Sequence, residues 1–351
     1  MNIVKIQEQL DINRRSVAFD SYDITLKQLY DMVLERMVDI APEYQRHFVW
    51  DEARQSALIE SLFLGIPIPS LFMATNRDAS WEVIDGLQRL TTILNFIGNA
   101  EELKDLKINH KKLKLSGLEK LDSMNGLQYE DLPKSMQFML QTRPLRITVL
   151  NDRSDFNVRY DLFERLNTGG VTLHEQEIRN CVYIGEFNDF IKELAGNEDF
   201  RSVVKMTENS ERSGSYEELV LRFFAYHEDS DSFVHSVKGF LNDYMEKKTN
   251  NFKDKKNLNE LFETTFRALN NNLPDGIVRG ARINITPIVL YEAVTVGCAK
   301  AINSGEQYDL SQLVSLLNDV ELKKYTTGAT NSKKMLEKRV AIVKDKLLNA
   351  V

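Results

Sequence analysis

The sequence predicts an α+β protein, in which a small mixed-sheet domain over residues 1–180 precedes an all-α helical domain over residues 181–351. Two observations predict this order. Short apolar runs with alternating or proline-marked patterns, typical of strands, fall in residues 66–152. From residue 155 onward, apolar residues recur at helical spacing. No proline-rich or glycine-serine linker separates the halves, so we expect two packed domains rather than two tethered ones.

Composition limits the class of protein. A chain of 351 residues with 42% hydrophobic and 28% charged residues is long enough to bury a substantial core. Its start, MNIVKIQEQLDINRR, lacks a signal-peptide core, and no window approaches the roughly 20 apolar residues of a membrane span. These features predict a cytoplasmic protein. Cys181 and Cys298 are far apart, which favours two core thiols over a disulfide or a zinc site.

The net charge of −7 excludes a generally basic nucleic-acid-binding face. Any DNA contact must therefore be a local patch or groove. Two basic clusters are present, and solvated helix faces are the simpler interpretation of each. Their members are Lys104, Lys107, Lys111, Lys112 and Lys114, and then Lys333, Lys334, Lys338, Arg339, Lys344 and Lys346.

The first half of the chain contains two predicted helices and several predicted strands. Apolar periodicity predicts helices over residues 24–37 and 51–65, the second with Gly65 as its C-cap. Residues 42–50 predict a loop with one short extended piece. The stretch IPIPSLFMATN, a turn and then WEVI predict a strand hairpin. Residues 104–114 alternate like short strands, and residues 143–152 predict a further strand.

Helices are predicted for the rest of the chain. The stretch FNVRYDLFERLNTGG predicts a helix that stops at residues 167–170, because paired glycines accept positive φ. The next helix is expected to restart with Thr172 and Glu175 in capping-box spacing. Six further segments, between residues 215 and 350, repeat the helical pattern.

The stretch EVIDGLQRLTTILNF places polar residues where a strand gives way to a helix. A helix that starts near Gln88 directs its free N–H groups at the turn, which suits an anion. Asp85 supplies a carboxylate, Gly86 permits close backbone approach, and Arg89 offers a planar fork for phosphate. Gln88 can orient what the others hold. A structural interpretation stays open, in which Asp85 caps the helix and Arg89 pairs with it.

Two other motifs are unusually polar. YQRHFVW places Arg46 and His47 among Tyr44, Phe48 and Trp50, a mixture suited to stacking on a base and contacting phosphate, or to an amphipathic core edge. FERLNTGGVTLHEQEIRN surrounds one tight turn with polar side chains. They are Arg165, Asn167, His174, Glu175, Glu177, Arg179 and Asn180. Three such motifs in one fold predict a shared pocket.

The ordered set YQRHFVW, IPIPSLF, VIDGLQRLTT and FERLNTGGVTLHEQEIRN resembles the ParB/sulfiredoxin-like domain of the family typified by the S subunit of GmrSD-type modification-dependent restriction systems. The resemblance covers roughly the first 190 residues, and four motifs in the same order make it specific. The family pattern usually reads DGQQR, and Leu87 replaces its first glutamine. Asp85, Gly86, Gln88 and Arg89 match the motif.

The resemblance implies defence against phage, with DNA that carries modified bases such as glucosylated hydroxymethylcytosine as the target. In several members of the family, nucleotide hydrolysis controls a nuclease, usually a separate HNH-type domain or subunit. The five histidines here form no His-Asn-His pattern, so we expect a standalone form without the nuclease. The sequence also lacks a GxxxxGK[ST] loop, which excludes phosphate-loop chemistry.

Three hypotheses follow. In the first, the protein is a hydrolase that excises the modified base from double-stranded phage DNA, without metal or nucleotide cofactor and without a membrane partner. Asp85, Gln88 and Arg89 form its catalytic group, with Asp85 aligning the water, while Arg89 and Arg46 hold backbone phosphates. The expected contacts to substrate or DNA are Tyr44, Gln45, Arg46, His47, Trp50, Gly86, Thr91, Arg165, Asn167, His174, Glu177 and Arg179.

The second hypothesis is hydrolysis of an NTP with Mg²⁺, in which Asp85 binds the metal or aligns water and Arg89 meets the γ-phosphate. The protein would then be the specificity subunit that controls a separate HNH-type nuclease. The third hypothesis is a sensor of DNA or nucleotide that catalyses no reaction.

Overall fold

A computed structural model of the chain describes residues 3–6, 19–40, 48–76, 78–104, 111–151, 156–166, 173–207, 210–211, 213–280 and 284–348. The chain divides into two compact units, Met1–Thr172 and Leu173–Val351. The predicted boundary at residue 180 lies inside a helix of the second unit.

The first unit is built on a mixed sheet. Its strands are β1 Phe19–Thr25, β2 Val38–Asp39, β3 Leu71–Thr75, β4 Trp81–Asp85 and β5 Pro144–Leu150. The five strands lie in the order β1-β5-β3-β4-β2. The pairs β1–β5 and β3–β4 are antiparallel, and β3–β5 and β2–β4 are parallel. The helices of this unit are α1 Leu26–Leu34, α2 Glu52–Leu64, α3 Leu87–Ile97, α4 Ala100–Lys104, α5 Lys134–Gln141 and α6 Phe156–Leu166.

The two faces of the sheet differ in their neighbours. One face carries Met73, Val83 and Val149. These side chains form the main hydrophobic core together with side chains of helices α1, α2, α3 and α5. Because side chains alternate along a strand, Phe72 and Leu150 project to the opposite face. Helix α6 contacts β4. The candidate site lies on this second face.

Several sequence predictions are confirmed. The α+β class is confirmed, with the sheet in the N-terminal part and a mostly helical C-terminal part. The helix predicted over residues 51–65 spans α2, where Asp51 accepts a hydrogen bond from the Arg54 amide at 2.8 Å and Gly65 has φ of +72°. The predicted hairpin is β3–β4, and the later strand is β5. A ParB/sulfiredoxin-like fold remains a prediction.

Three predictions about local structure were wrong. The first helix begins at Leu26 rather than residue 24, because residues up to Thr25 pair with β5 and form strand β1. Residues 111–114 form no strand. The Leu113 amide donates to the carbonyl of Asn95 in helix α3 instead of to a neighbouring strand. Residues 105–110 lie outside the described residues. The third concerns the cap described next.

The helix after the glycine turn has a different cap from the one predicted. It begins at Glu175 with His174 as its N-cap, and the His174 amide donates to Glu177 Oε2 at 2.7 Å. Thr172, the predicted cap, lies outside the described residues. The capping interaction is therefore two residues later than predicted.

The second unit is mostly helical among its described residues. Its helices are α7 Glu175–Val182, α8 Glu186–Ala195, α9 Glu198–Val203, α10 Ser215–Glu228, α11 Val237–Asn250, α12 Lys255–Asn272, α13 Ile288–Ile302, α14 Leu313–Leu317, α15 Val320–Thr326 and α16 Lys333–Leu348. Cys181 and Cys298 are free and buried, as predicted, and burial raises the pKa of the Cys298 thiol to about 12. Within the described parts of both units, no helix is both long and apolar enough to cross a membrane.

A chain of buried ion pairs joins helices α7, α10, α13 and α16 of the second unit. Glu218 accepts from Arg179 Nη2 at 2.6 Å and from Arg222 Nη2 at 2.7 Å. Glu292 accepts from Arg222 Nη1 at 2.8 Å and from Arg339 Nη2 at 2.5 Å. Burial acts to raise the pKa of Glu218, but the charges of Arg222 and Arg179 outweigh it and leave that pKa below its usual value. The buried Glu292 and the half-buried Glu218 thus each lie between two arginines.

Replacing Arg339 is expected to destabilise the second unit. Arg339→Met removes one partner of a buried carboxylate, and we expect the free energy of unfolding to fall by about 3 kcal/mol. The matched control is Lys333→Met on the same helix, where the partner Asp231 is exposed, with an expected loss below about 1 kcal/mol. Urea unfolding followed by circular dichroism measures both. Equal losses would show that the buried pair contributes no more than a surface pair.

Candidate functional site

The polar motif DGLQR forms the junction between strand β4 and helix α3. Asp85 is the last residue of the strand, Gly86 is the N-cap, and the helix begins at Leu87, one residue before the predicted start. No side chain caps this helix, so the capping role considered for Asp85 is not present. Leu87, which replaces the first glutamine of the family motif, packs against the hydrophobic core of the sheet.

A β-bulge sets the direction of the Asp85 side chain. Met73 pairs with Val83, whereas the adjacent Phe72 pairs with Asp85, which leaves Ile84 as an extra residue in β4. Without this residue, Val83 and Asp85 would share the core face, because alternate residues of a strand project to one side. The bulge moves Asp85 to the face of Phe72. Its side chain is 33% exposed rather than enclosed in the core.

Arg89 holds Asp85 from the first turn of helix α3. Its Nη2 donates to Asp85 Oδ2 at 2.5 Å. Its Nη1 donates to the carbonyl of Ser70 at 3.1 Å and to that of Pro69. The Arg89 side chain is only 12% exposed, and it connects the strand end, the helix and the segment that enters β3. Asp85 Oδ1 has no hydrogen-bond partner within the described residues.

Glycine is required at position 86 for two physical reasons. Its φ of +101° is one that side-chain-bearing residues rarely adopt. A Cβ at this position would also lie 2.3 Å from Leu71 Cδ2. The Gly86 backbone therefore packs closely against the core side chain of Leu71. This packing requires glycine whether or not a ligand also approaches the backbone here.

Gln88 brings the end of the aromatic-basic motif to the same junction. Its Oε1 accepts hydrogen bonds from the amides of Val49 at 3.1 Å and Trp50 at 3.2 Å. Two of the three polar motifs therefore meet at the start of α3. The first four residues of that motif, Tyr44, Gln45, Arg46 and His47, lie outside the described residues.

Trp50 and Thr91 are less accessible than a ligand-contacting role would suggest. The Arg54 guanidinium carbon lies 4.9 Å from the centroid of the Trp50 ring, so a cation covers one face of the indole. Gln55 donates to the Trp50 carbonyl at 3.0 Å. Thr91 is buried on helix α3. Their predicted contacts with substrate remain predictions.

The third motif is divided between the two units. Arg165 is exposed near the end of α6 in the first unit, and Asn167 lies outside the described residues. His174, which is exposed, and Glu177, which is half-buried, form the cap of α7 in the second unit. Arg179 is fully buried, with its guanidinium bound to Gln176, Asn242 and Glu218. A contact of Arg179 with DNA remains a prediction, and it would require the side chain to leave these partners.

An apolar pocket of about 280 Å³ lies on the same face of the sheet as Asp85. Its lining residues are Phe19, Phe72, Met73, Thr148, Leu150 and Leu162. Phe72 is the direct strand partner of Asp85, so the pocket lies next to the acidic junction. The alternating pattern of β3 and β5 could have indicated that a second face exists. The position of Phe19 beside residues 72, 148, 150 and 162 could not be predicted from the residues adjacent to it in sequence.

Within the described residues, no group of three or more His, Cys, Asp or Glu side chains is arranged to hold a metal ion. Mg²⁺ often takes only one or two protein carboxylates together with substrate phosphates, and Asp85 Oδ1 suits that use. The predicted absence of a cofactor and the alternative of NTP with Mg²⁺ both remain predictions.

The structure defines the first unit as an α+β sheet domain with an acid-arginine pair at a strand-to-helix junction. Residues 26–184, which span α1 to the end of α7, match the family model described as GmrSD restriction endonuclease, N-terminal domain. This part of the chain is therefore similar to the GmrSD N-terminal domain, and the resemblance seen in the sequence is confirmed for these residues. Searches of curated proteins and of solved structures found no match.

Substitution of Gly86 is expected to test the tight junction. Gly86→Ala combines positive φ with a Cβ that meets Leu71, and we expect it to lower the free energy of unfolding by more than about 2 kcal/mol. The control is Gly117→Ala in the same unit, where φ is +70° and the nearest atom is 3.8 Å from the added Cβ. That variant should lose only about 1 kcal/mol. Similar losses in urea unfolding would contradict the close approach.

Gln88 is expected to fix the backbone of residues 49 and 50. Gln88→Leu removes the acceptor, so the amides of Val49 and Trp50 should exchange with deuterium about tenfold faster. Gln88→Glu retains an acceptor oxygen and should preserve slow exchange. Unchanged exchange in the leucine variant would show that other contacts hold this segment.

Proposed function

We propose that the protein works in a restriction-type anti-phage system and removes modified bases, such as glucosylated hydroxymethylcytosine, from phage DNA. The family description names a restriction endonuclease, which supports a role in such a system, a DNA target and a hydrolytic activity. Base excision is the finer part of the proposal. It rests on the chemistry of the junction between β4 and α3.

One observation carries the reaction type: a partly exposed carboxylate with one oxygen fixed and the other available. Arg89 binds Asp85 Oδ2, and Oδ1 has no partner among the residues described. A carboxylate oriented in this way can align a water molecule and stabilise positive charge that develops on a sugar. The bulge at Ile84 keeps this group out of the core.

In the proposed reaction, the modified nucleotide leaves the duplex, and the apolar pocket beside Phe72 receives part of it. The bond between C1′ and the base nitrogen breaks, and its electron pair leaves with the base. Water held by Asp85 Oδ1 adds its oxygen to C1′, and its proton goes to the departing base. The products are a free base and an abasic site. No oxidant or reductant is consumed.

The surrounding residues receive supporting roles. Arg89 positions Asp85, because its Nη atoms are bound to Asp85 and to backbone carbonyls. Gln88 orders the segment that follows Arg46. We assign the contacts with DNA to the aromatic-basic motif that contains Tyr44, Gln45, Arg46, His47 and Trp50, and to Arg165 and Asn167.

Hydrolysis of an NTP is the second candidate, because Asp85 Oδ1 is also suited to one coordination position of Mg²⁺. In that case the protein would control a separate nuclease as a specificity subunit. Arg89 would have to release its carbonyl partners to meet the γ-phosphate, whereas base excision uses it in its present position. We therefore place base excision first.

Asp85→Asn is expected to abolish base excision while the fold survives. The substitution keeps the size of the side chain but removes its charge, and we expect at least about a 100-fold loss of rate. Purified protein is incubated with DNA that carries glucosylated hydroxymethylcytosine, in EDTA and without nucleotide. Alkaline cleavage measures abasic sites, and mass spectrometry measures the released base.

The matched control is Asp78→Asn, in the turn between the same two strands, where the carboxylate accepts hydrogen bonds from the amide and hydroxyl of Ser80. It should retain full activity. Intact DNA with the wild-type protein would contradict base excision. Phosphate release from an NTP with Mg²⁺, lost in Asp85→Asn, would support the second candidate. Activity retained in Asp85→Asn would point to a site elsewhere.

A further inference from the structure

The second unit contains a cleft of about 500 Å³ that is lined by residues of that unit. Its lining residues are His174, Glu175, Lys205, Met206, Thr207, Ser210, Ser213, Ser215, Glu218, Leu219, Ile285, Thr286 and Ile288. They come from the starts of α7, α10 and α13 and from the segment after α9. A cleft of this volume matches a small organic ligand rather than a single ion.

Lys205 is the available cation of this cleft. Its ammonium group has no ion-pair or hydrogen-bond partner within the described residues, although the residue is half-buried. The backbone beneath it is fixed, because the Lys205 amide donates to Thr286 Oγ1 and the Thr286 amide donates to the Lys205 carbonyl, each at 2.8 Å. A lysine that lines a cleft, with no partner for its ammonium among the described residues, is suited to an anionic ligand.

The two carboxylates of the cleft differ in their availability. Glu218 is already bound by Arg179 and Arg222, so these two arginines offset its charge. Glu175 is 48% exposed, and its Oε2 lies 3.9 Å from Arg179 Nη1. Arg222 is shared with Glu292, so the charges that remain to be compared are those of Glu175 and Lys205. Among the described residues these two charges balance, and the cleft has no net negative charge that would repel an anion.

Hydroxyl groups supply further hydrogen-bonding capacity. Thr207 and Ser210 lie with their Oγ atoms 2.9 Å apart, and those of Ser213 and Ser215 lie 3.0 Å apart. The Ser213 hydroxyl also donates to the Ser210 carbonyl at 2.9 Å. The hydroxyls of Thr207, Ser210 and Ser215 can each turn a proton toward a ligand oxygen. Helix α10 also begins at Ser215 without a side-chain cap, which adds a weak positive dipole end.

The rim of the cleft is apolar and exposed. Ile285 and Ile288 expose 47% and 45% of their surface, respectively, which is unusual for isoleucine. Leu219 continues this apolar surface inward. A ligand that fits the cleft therefore has an anionic end for Lys205 and the hydroxyls and an apolar part for the isoleucines.

We propose that this cleft binds a small phosphorylated molecule, with its phosphate against Lys205 and the hydroxyl pairs and its apolar part against Ile285 and Ile288. A phosphate fits better than a carboxylate, because three terminal oxygens and a charge near −2 use more of the available donors. The proposal does not depend on the reaction at Asp85.

Isothermal titration of the full chain with AMP, adenosine and an oligonucleotide without terminal phosphates tests the proposal. We expect AMP to bind and adenosine not to bind, since adenosine lacks the phosphate. Lys205→Met should weaken AMP binding about tenfold or more, as expected for loss of a charge-assisted contact. Lys256→Met, which removes an exposed lysine from helix α12, should leave binding unchanged.

The remaining outcomes separate the sources of phosphate and the two sites. Binding of only the oligonucleotide, lost in Lys205→Met, would retain the phosphate site with nucleic acid as the source. Equal binding of AMP and adenosine, or AMP binding unchanged in Lys205→Met, would overturn the proposal. AMP binding that Asp85→Asn abolishes and Lys205→Met preserves would assign the nucleotide to the strand junction instead. Absence of binding by AMP and by the oligonucleotide would also overturn it.

Discussion

The extra residue in strand β4 is the constraint on which the candidate site depends. If β4 continued its regular alternation past Val83, the Asp85 carboxylate would face the hydrophobic core, where an ionised group is very costly. The bulge at Ile84 instead turns Asp85 to the other face, within reach of Arg89. The carboxylate is then close to solvent, to the pocket beside Phe72 and to the start of helix α3.

The sequence predicted the local parts of this site better than its non-local parts. The strand, turn and helix around Asp85 are encoded by adjacent residues, and the pairing of Asp85 with Arg89 follows from i,i+4 spacing. The bulge was not predicted, because strand register depends on Phe72 and Met73 in a separate run. The carbonyl partners of Arg89 were missed for the same reason.

A similar division applies to the second unit. Helical periodicity predicted its main helices, and the spacing of Glu218 and Arg222 is that of a helical ion pair. Their partners Arg179, Glu292 and Arg339 are far apart in sequence, so tertiary packing alone reveals the buried chain of charges. Arg339, which the sequence placed in a basic surface cluster, is among the most deeply buried side chains.

The pairing of Asp85 with Arg89 also affects how the protein meets a polyanion. One negative and one positive charge at 2.5 Å form a dipole with no net charge, so the junction itself exerts little attraction on distant DNA. In a chain of net charge −7, long-range steering of the duplex must come from basic groups elsewhere on the surface. Ionic strength should therefore alter the rate of encounter with DNA more than the reaction that we propose at the carboxylate.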